Sequence, residues 1–252
     1  MRCISLLFFL SLYFLAGCYK ESDYDASKRG IDHVFTLSSA YDSIPADGVS
    51  RTKLYIKGLP DDVTDSDNSI LLETDHGSFD GSTTAGKITI SSSMVYDPVA
   101  NTTVRQATAT LISAGQPDSA HLAATMKGST QYKTVYFYRA WPNRISIVPS
   151  ILYTKASLTS AISIEVSLLR DTGTVSLNTP ISFTATDTAG HTLPHDVGAF
   201  QLFSNRSNAA GKCNFTYFFT DTAYLGAVQL KATTLSPSGK PAADSINLII
   251  YK

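Results

Sequence analysis

The densest chemistry in the chain is Asp61-Asp62-Val63-Thr64-Asp65-Ser66-Asp67-Asn68, four carboxylates within eight residues. Calcium takes several oxygen ligands from a flexible loop, which makes Asp61, Asp62, Asp65 and Asp67 candidate ligands. The run lacks the glycine and the distant bidentate glutamate of an EF-hand, and its plainer reading is a solvated loop between strands. His191 and His195, in HTLPH, have a spacing that would share one face of a helix. Gly190 and Pro194 work against a helix there, so a loop is expected. No G-x-S-x-G occurs, and no pair of acids is spaced as a catalytic dyad. The sequence therefore supports no enzyme and calls for no cofactor. Cys213, with Lys212 beside it, is expected to be a small buried hydrophobe in a strand.

The chain begins MRCISLLFFLSLYFLAGC. Arg2 gives a positive start, Leu6 to Leu15 is apolar and uncharged, and Leu15-Ala16-Gly17 runs straight into Cys18. The run is too short to span a bilayer, which takes about 20 residues. It reads as a secretory signal peptide. Leu-Ala-Gly-Cys resembles the lipobox of bacterial lipoproteins. The resemblance implies that the Cys18 thiol is acylated, that residues 1–17 are cut away, and that acylated Cys18 holds the chain to a lipid bilayer. Two or more acyl chains hold firmly, at about 0.8 kcal/mol per buried methylene. Tyr19 to Gly30 is polar and without period, so residues 18–31 are expected to be a flexible tether. Tyr19, rather than Asp, after the cysteine resembles outer-membrane sorting. Glu21, Asp23 and Asp25 resemble surface-export signals of some Gram-negative lineages; a plain solvated leader is the other reading. Which face of the outer membrane carries the chain stays open.

The 252 residues, less the 17 of the leader, are comfortable for two domains. With 43% apolar and 16% charged residues, the chain can bury a core. A net charge of −1 gives no electrostatic case for nucleic acid. Cys3 leaves with the leader and Cys18 is taken by lipid, so Cys213 is left alone and no intrachain disulfide is expected.

From Asp32 onward the period is two. Thr52 to Lys57, Ser69 to Thr74, Lys87 to Ser91, Val104 to Ile112, His121 to Met126 and Thr134 to Tyr138 alternate apolar with polar. Asp47-Gly48, Asp75-His76-Gly77 and Asp80-Gly81 punctuate them as turns. Arg139 to Asn143 breaks the pattern. A second set then runs through Arg144 to Val148, Ile162 to Leu169, Pro180 to Thr186, Ala199 to Phe203, Lys212 to Thr220, Ala227 to Thr233 and Ser245 to Tyr251. The sets align as an internal repeat, Leu72 with Phe183 and Leu122 with Leu230. The offset is about 110 residues, the size of one immunoglobulin sandwich.

Ala46-Asp47-Gly48, then Thr52, Leu54 and Ile56, then LETDHGSF resemble the opening of bacterial immunoglobulin-like domains of the invasin and intimin type. ISFTATDTAG, NAAGKCNFTYFFT and GAVQLKAT resemble the later strands of the same family. The resemblance implies an all-β chain of two tandem antiparallel sandwiches, residues 32–140 and 141–252, acting as adhesive or spacer modules. It implies no chemistry.

Two patterns bear on partners. Tyr132, Tyr136, Phe137, Tyr138 and Trp141 crowd the end of the first set, and Phe215, Tyr217, Phe218, Phe219 and Tyr224 crowd the second. They fill the cores, or they form a stacking platform. Asp42-Ser43-Ile44, Asp118-Ser119-Ala120, Asp187-Thr188-Ala189, Asp221-Thr222-Ala223 and Asp244-Ser245-Ile246 share one pattern. It resembles an O-glycosylation acceptor of Gram-negative envelope proteins, which makes Ser43, Ser119, Thr188, Thr222 and Ser245 candidate sites; coincidence is the other reading. The expected function is a membrane-anchored, non-catalytic adhesion, binding or spacer module with a protein or glycan partner on the cell surface. The alternative is a carbohydrate-binding accessory lipoprotein of a glycan-uptake system. An exposed aromatic pair on one face would favour that alternative; smooth polar faces would favour adhesion.

Overall fold

The computed structural model describes residues 35–59, 68–99, 101–187, 189–193, 198–202, 204–235, 238 and 241–252. These residues form strands and connections, with no helix long and apolar enough to cross a membrane. The first ten strands are β1 (Thr36–Ser39), β2 (Ser43–Pro45), β3 (Arg51–Leu59), β4 (Ser69–Thr74), β5 (Ser78–Phe79), β6 (Lys87–Ser91), β7 (Ser93–Asp97), β8 (Thr102–Ile112), β9 (Asp118–Met126) and β10 (Ser129–Tyr138). The rest are β11 (Arg144–Pro149), β12 (Tyr153–Lys155), β13 (Ala161–Leu169), β14 (Ser182–Thr186), β15 (Gly198–Leu202), β16 (Lys212–Phe219), β17 (Gly226–Thr234) and β18 (Ala242–Tyr251). The period-two segments are these strands, and the fold is all-β as expected. The short strands β2, β5, β7 and β12 carry no alternation long enough to read.

The first ten strands make two sheets. One runs β1-β3-β8, with β5 and β7 on the far side of β8; the other runs β2-β10-β9-β4-β6. The last eight make β11-β13-β16-β15 and β12-β18-β17-β14. The chain begins each sandwich the same way. β1 pairs antiparallel with β3, and the chain then crosses to the other sheet, where β2 lies parallel to β10. β11 and β12 repeat the move against β13 and β18. Buried Thr52 pins the first crossing, because its hydroxyl accepts from Tyr41 N and donates to Tyr41 O.

The register reproduces the repeat. Leu72 pairs Ala124 where Phe183 pairs Ala232, and Thr74 pairs Leu122 where Ala185 pairs Leu230. Each sandwich closes on its own core. Leu54, Ile56, Ile70, Leu72, Leu122 and Phe137 anchor the first, and Ile162, Ile164, Val166, Phe215, Leu230 and Leu248 the second. Burying each such side chain contributes about 1.5–3 kcal/mol. Cys213 is buried in the second core, as expected. Its thiol donates to the Ser204 carbonyl, and burial pushes its pKa up, which makes it a poor nucleophile.

The Tyr217 hydroxyl is a core group that the described residues leave unsatisfied. Tyr217 packs edge-on against Phe200 and Phe219, with ring centroids 5.1 and 5.3 Å away. Among the described residues its buried hydroxyl has no hydrogen-bond partner, and burial, with Tyr224 beside it, pushes its pKa up to about 12. Gly198 fits against it because a Cβ there would come within 2.2 Å of Tyr217 Oη. Tyr217→Phe is therefore expected to leave stability unchanged or raise it by about 1 kcal/mol. Gly198→Ala should destabilise the native chain clearly and the Tyr217→Phe chain much less. A double-mutant cycle in denaturant measures both; equal costs in the two backgrounds would refute the contact.

Candidate functional site

Cys18, Asp61, Asp62, Asp65, Asp67, Thr188 and His195 lie outside the described residues. Among the described residues no group of three or more His, Cys, Asp or Glu is placed to hold a metal ion. Ser43, Thr222 and Ser245 are exposed and Ser119 is half-buried. In three of the Asp-hydroxyl-apolar triplets the Asp side chain folds back onto its own backbone: Asp118 accepts from Ser119 N, Asp221 from Ala223 N and Asp244 from Ser245 N. His191 is exposed and pairs with Asp187 at 3.0 Å.

The structure separates the aromatics by strand parity. Val135 and Phe137 point into the first core, so Tyr136 and Tyr138, 57% and 53% exposed, stand outside with Tyr132 on the same face of β10. The register sets Tyr136 between Ser43 of β2 and Ser119 of β9, and Thr134 beside His121. His121 Nδ1 meets Asp75 Oδ2 at 2.7 Å, His76 meets Asp118 at 3.4 Å, and Lys133 meets Asp42 at 2.7 Å. Partial burial opposes the charged form of Asp75, but hydrogen bonds from His121 N and its ring outweigh it and hold the carboxyl below its ordinary range. This face therefore offers three aromatic rings beside the exposed His121–Asp75 pair. The second sandwich repeats the theme at its corresponding edge, where Tyr153 and Tyr251 flank Ile249, all exposed. Phe215, Tyr217 and Phe219 are core residues, and Trp141 lies half-buried where the sandwiches meet.

That meeting is built on Asp47, which is 1% exposed. Its carboxylate accepts from Val49 N at 3.0 Å, Ser50 N at 2.7 Å, Ser50 Oγ at 2.9 Å and Ser113 Oγ at 3.2 Å, all within the first sandwich. The connection from β13 to β14, residues 170–181, closes over it. Arg170 Nη2 lies 3.7 Å from Asp47 Oδ2, and Thr174 donates its N–H and hydroxyl to the Asp47 carbonyl. Ser176 Oγ accepts from Ala140 N and donates to Ala46 O, each at 2.8 Å, and Leu177 N donates to Gly115 O. Gly173, at φ +67°, comes so close that a Cβ would sit 2.7 Å from Val49 Cγ2. In the sequence Asp47-Gly48 reads as a turn and as part of the family-like opening; the loop that covers it is more than a hundred residues away.

Burial works against the charge on Asp47, and the hydrogen bonds from Ser50, Val49 and Ser113 more than offset it, so the carboxyl titrates below its ordinary value of 3.8. A carboxyl lowered by folding stabilises the fold fully above that unfolded value, and the contribution is lost as pH falls through the folded one. Asp47→Ala should cost about 2–4 kcal/mol, since it strands several buried donors, and should speed amide exchange at Thr174 and Ser50. Asp47→Asn should flatten the loss of stability on acidification below about pH 4. An unchanged acid limb would show that another carboxyl controls it.

No protein-family model and no curated protein matches the chain. Solved structures do. The adhesin InvE of Yersinia pseudotuberculosis is 16% identical, with a TM-score of 0.51 over 86% of this chain and 59% of that one. Invasin, a bacterial integrin-binding protein, is 15% identical, with a TM-score of 0.58 over 86% of this chain and 39% of that one. The chain thus spans less than two thirds of either. At such identity the likeness speaks for architecture, and with the topology above it fixes that architecture: the chain has the immunoglobulin-like sandwich fold of the invasin and intimin type.

Proposed function

We propose that the chain is a non-catalytic binding module of the bacterial outer membrane, anchored through acylated Cys18 and lifted by residues 18–31, with residues 32–140 and 141–252 as its two domains. The observation that carries this reading is the joint. A spacer must hold its modules at a fixed angle, and the hydrogen bonds around Asp47 and Ser176 tie backbone groups of the first sandwich to hydroxyls of the second. The likeness to domains from adhesins supports a protein partner on the cell surface. Asp61, Asp62, Asp65 and Asp67 are the place where calcium or a cationic partner would bind, and Ser43, Ser119, Thr188, Thr222 and Ser245 are the acceptors for O-linked sugars.

The exposed Tyr136–Tyr138 pair favours the second reading, a glycan ligand. Aromatic faces stack on the apolar side of a sugar ring, and the neighbouring His121–Asp75 pair can hydrogen-bond its hydroxyls.

Cys18→Ala should release the protein from membranes or leave an unprocessed precursor. A processed mutant that still fractionates with membranes would sink the anchor. Protease shaving of intact cells, read by mass spectrometry, then fixes the side: loss of peptides from both sandwiches means surface display. Tyr136→Ala with Tyr138→Ala should leave the melting temperature nearly unchanged, since both rings are mostly in solvent, while reducing retention on the cell-surface glycans the native chain binds. Retention equal to native would remove the glycan reading and leave the protein partner.

A further inference from the structure

We infer that β7 is a self-pairing edge through which two copies of this chain join their sheets. Ser93–Asp97 pairs with β8 on one side, and no described strand lies on its other side. Open strand edges in soluble proteins are usually guarded by charge, proline or brevity. β6, on the other sheet, carries Lys87. β7 reads Ser-Met-Val-Tyr-Asp and is exposed along four of its five residues, with Met94, Val95 and Tyr96 all in solvent. The ribbon is nonetheless ordered. Val99 N donates to Asp97 Oδ1, and Tyr96 Oη donates to Asn101 Oδ1 across the tip.

The occupant is a second copy because the strand is complementary to itself. An antiparallel pair centred on Val95 sets Val95 against Val95 of the second copy, flanked on the same face by Ser93 opposite Asp97. Val95 already pairs Val104 of β8, so the dyad builds a four-valine row across four strands. On the opposite face Met94 of each copy meets Tyr96 of the other, a sulfur–aromatic contact. No like charges stand opposite each other, and open backbone groups pair with backbone groups. A short strand pair buries less than the roughly 1,600 Å² of a standard interface, so the association is weak and reversible.

Sedimentation velocity on the full chain in detergent tests this, each sample carrying the same micelle. The sedimentation coefficient should rise with concentration for the native chain and stay flat for Val95→Lys, which places two ammonium groups on the dyad. Val95 is already 37% exposed, so an unchanged melt will show that this variant is folded. Register is read by cysteine pairing in a background carrying Cys3→Ser and Cys18→Ser, where buried Cys213 is silent. Val95→Cys should oxidise to a dimer by itself. Met94→Cys should do so only when mixed with Tyr96→Cys. A native chain that stays monomeric at the highest concentration, an equal rise in Val95→Lys, or crosslinking without register would each overturn the proposal. The first outcome would leave β7 to an extended peptide of another protein.

Discussion

The charge on Asp47 sets the terms for the joint. A carboxylate with 1% of its residue surface in water must be fully satisfied. Three hydrogen bonds from its own turn and a fourth from Ser113 do this before the second sandwich contributes anything. The turn is therefore rigid in advance, and its main-chain carbonyls face outward in a fixed pattern. Thr174 and Ser176 read that pattern through the carbonyls of Asp47 and Ala46. Arg170 adds charge at 3.7 Å, too long for a strong hydrogen bond, while spending its better donor on the Trp141 carbonyl at 2.6 Å. The joint is thus mostly backbone recognised by small hydroxyls. Such contacts specify an angle more than they add affinity, which suits two modules already linked by the chain.

Much of the fold was legible because period-two alternation survives in both halves and the halves repeat. The alignment of Leu72 with Phe183 and Leu122 with Leu230 returned as hydrogen-bonded register. The losses have physical causes. Thr52 shares the inward parity of Leu54 and Ile56, but alternation does not say that the backbone of Tyr41 meets its hydroxyl there. Residues 132–138 hold four aromatics on both parities, so alternation could not say that Phe137 goes in while Tyr136 and Tyr138 stay out. β7 is apolar on both faces, so it has no period to detect. Asp47-Gly48 has the composition of any tight turn; only the approach of residues 170–181, set by tertiary structure, turns it into a buried acceptor.

The second sandwich supplies its own control. Ala46 N donates to Tyr138 O, and at the corresponding place Ala156 N donates to Tyr251 O. Ser157-Leu158 therefore occupies the position of Asp47-Gly48. The turn closes with weaker chemistry: Thr159 N donates to Ser157 Oγ at 3.3 Å, and Ser160 N to the Ser157 carbonyl at 2.9 Å. Leu158, 66% exposed, replaces the glycine over which the joint loop passes. The backbone path alone therefore does not require aspartate. A hydroxyl cap is enough where water can reach the turn and satisfy what the cap leaves open. A carboxylate is needed where a covering loop expels that water, because every donor beneath it must then find a partner in the protein. The acid and the loop that buries it are parts of one device, written in separate halves of the chain.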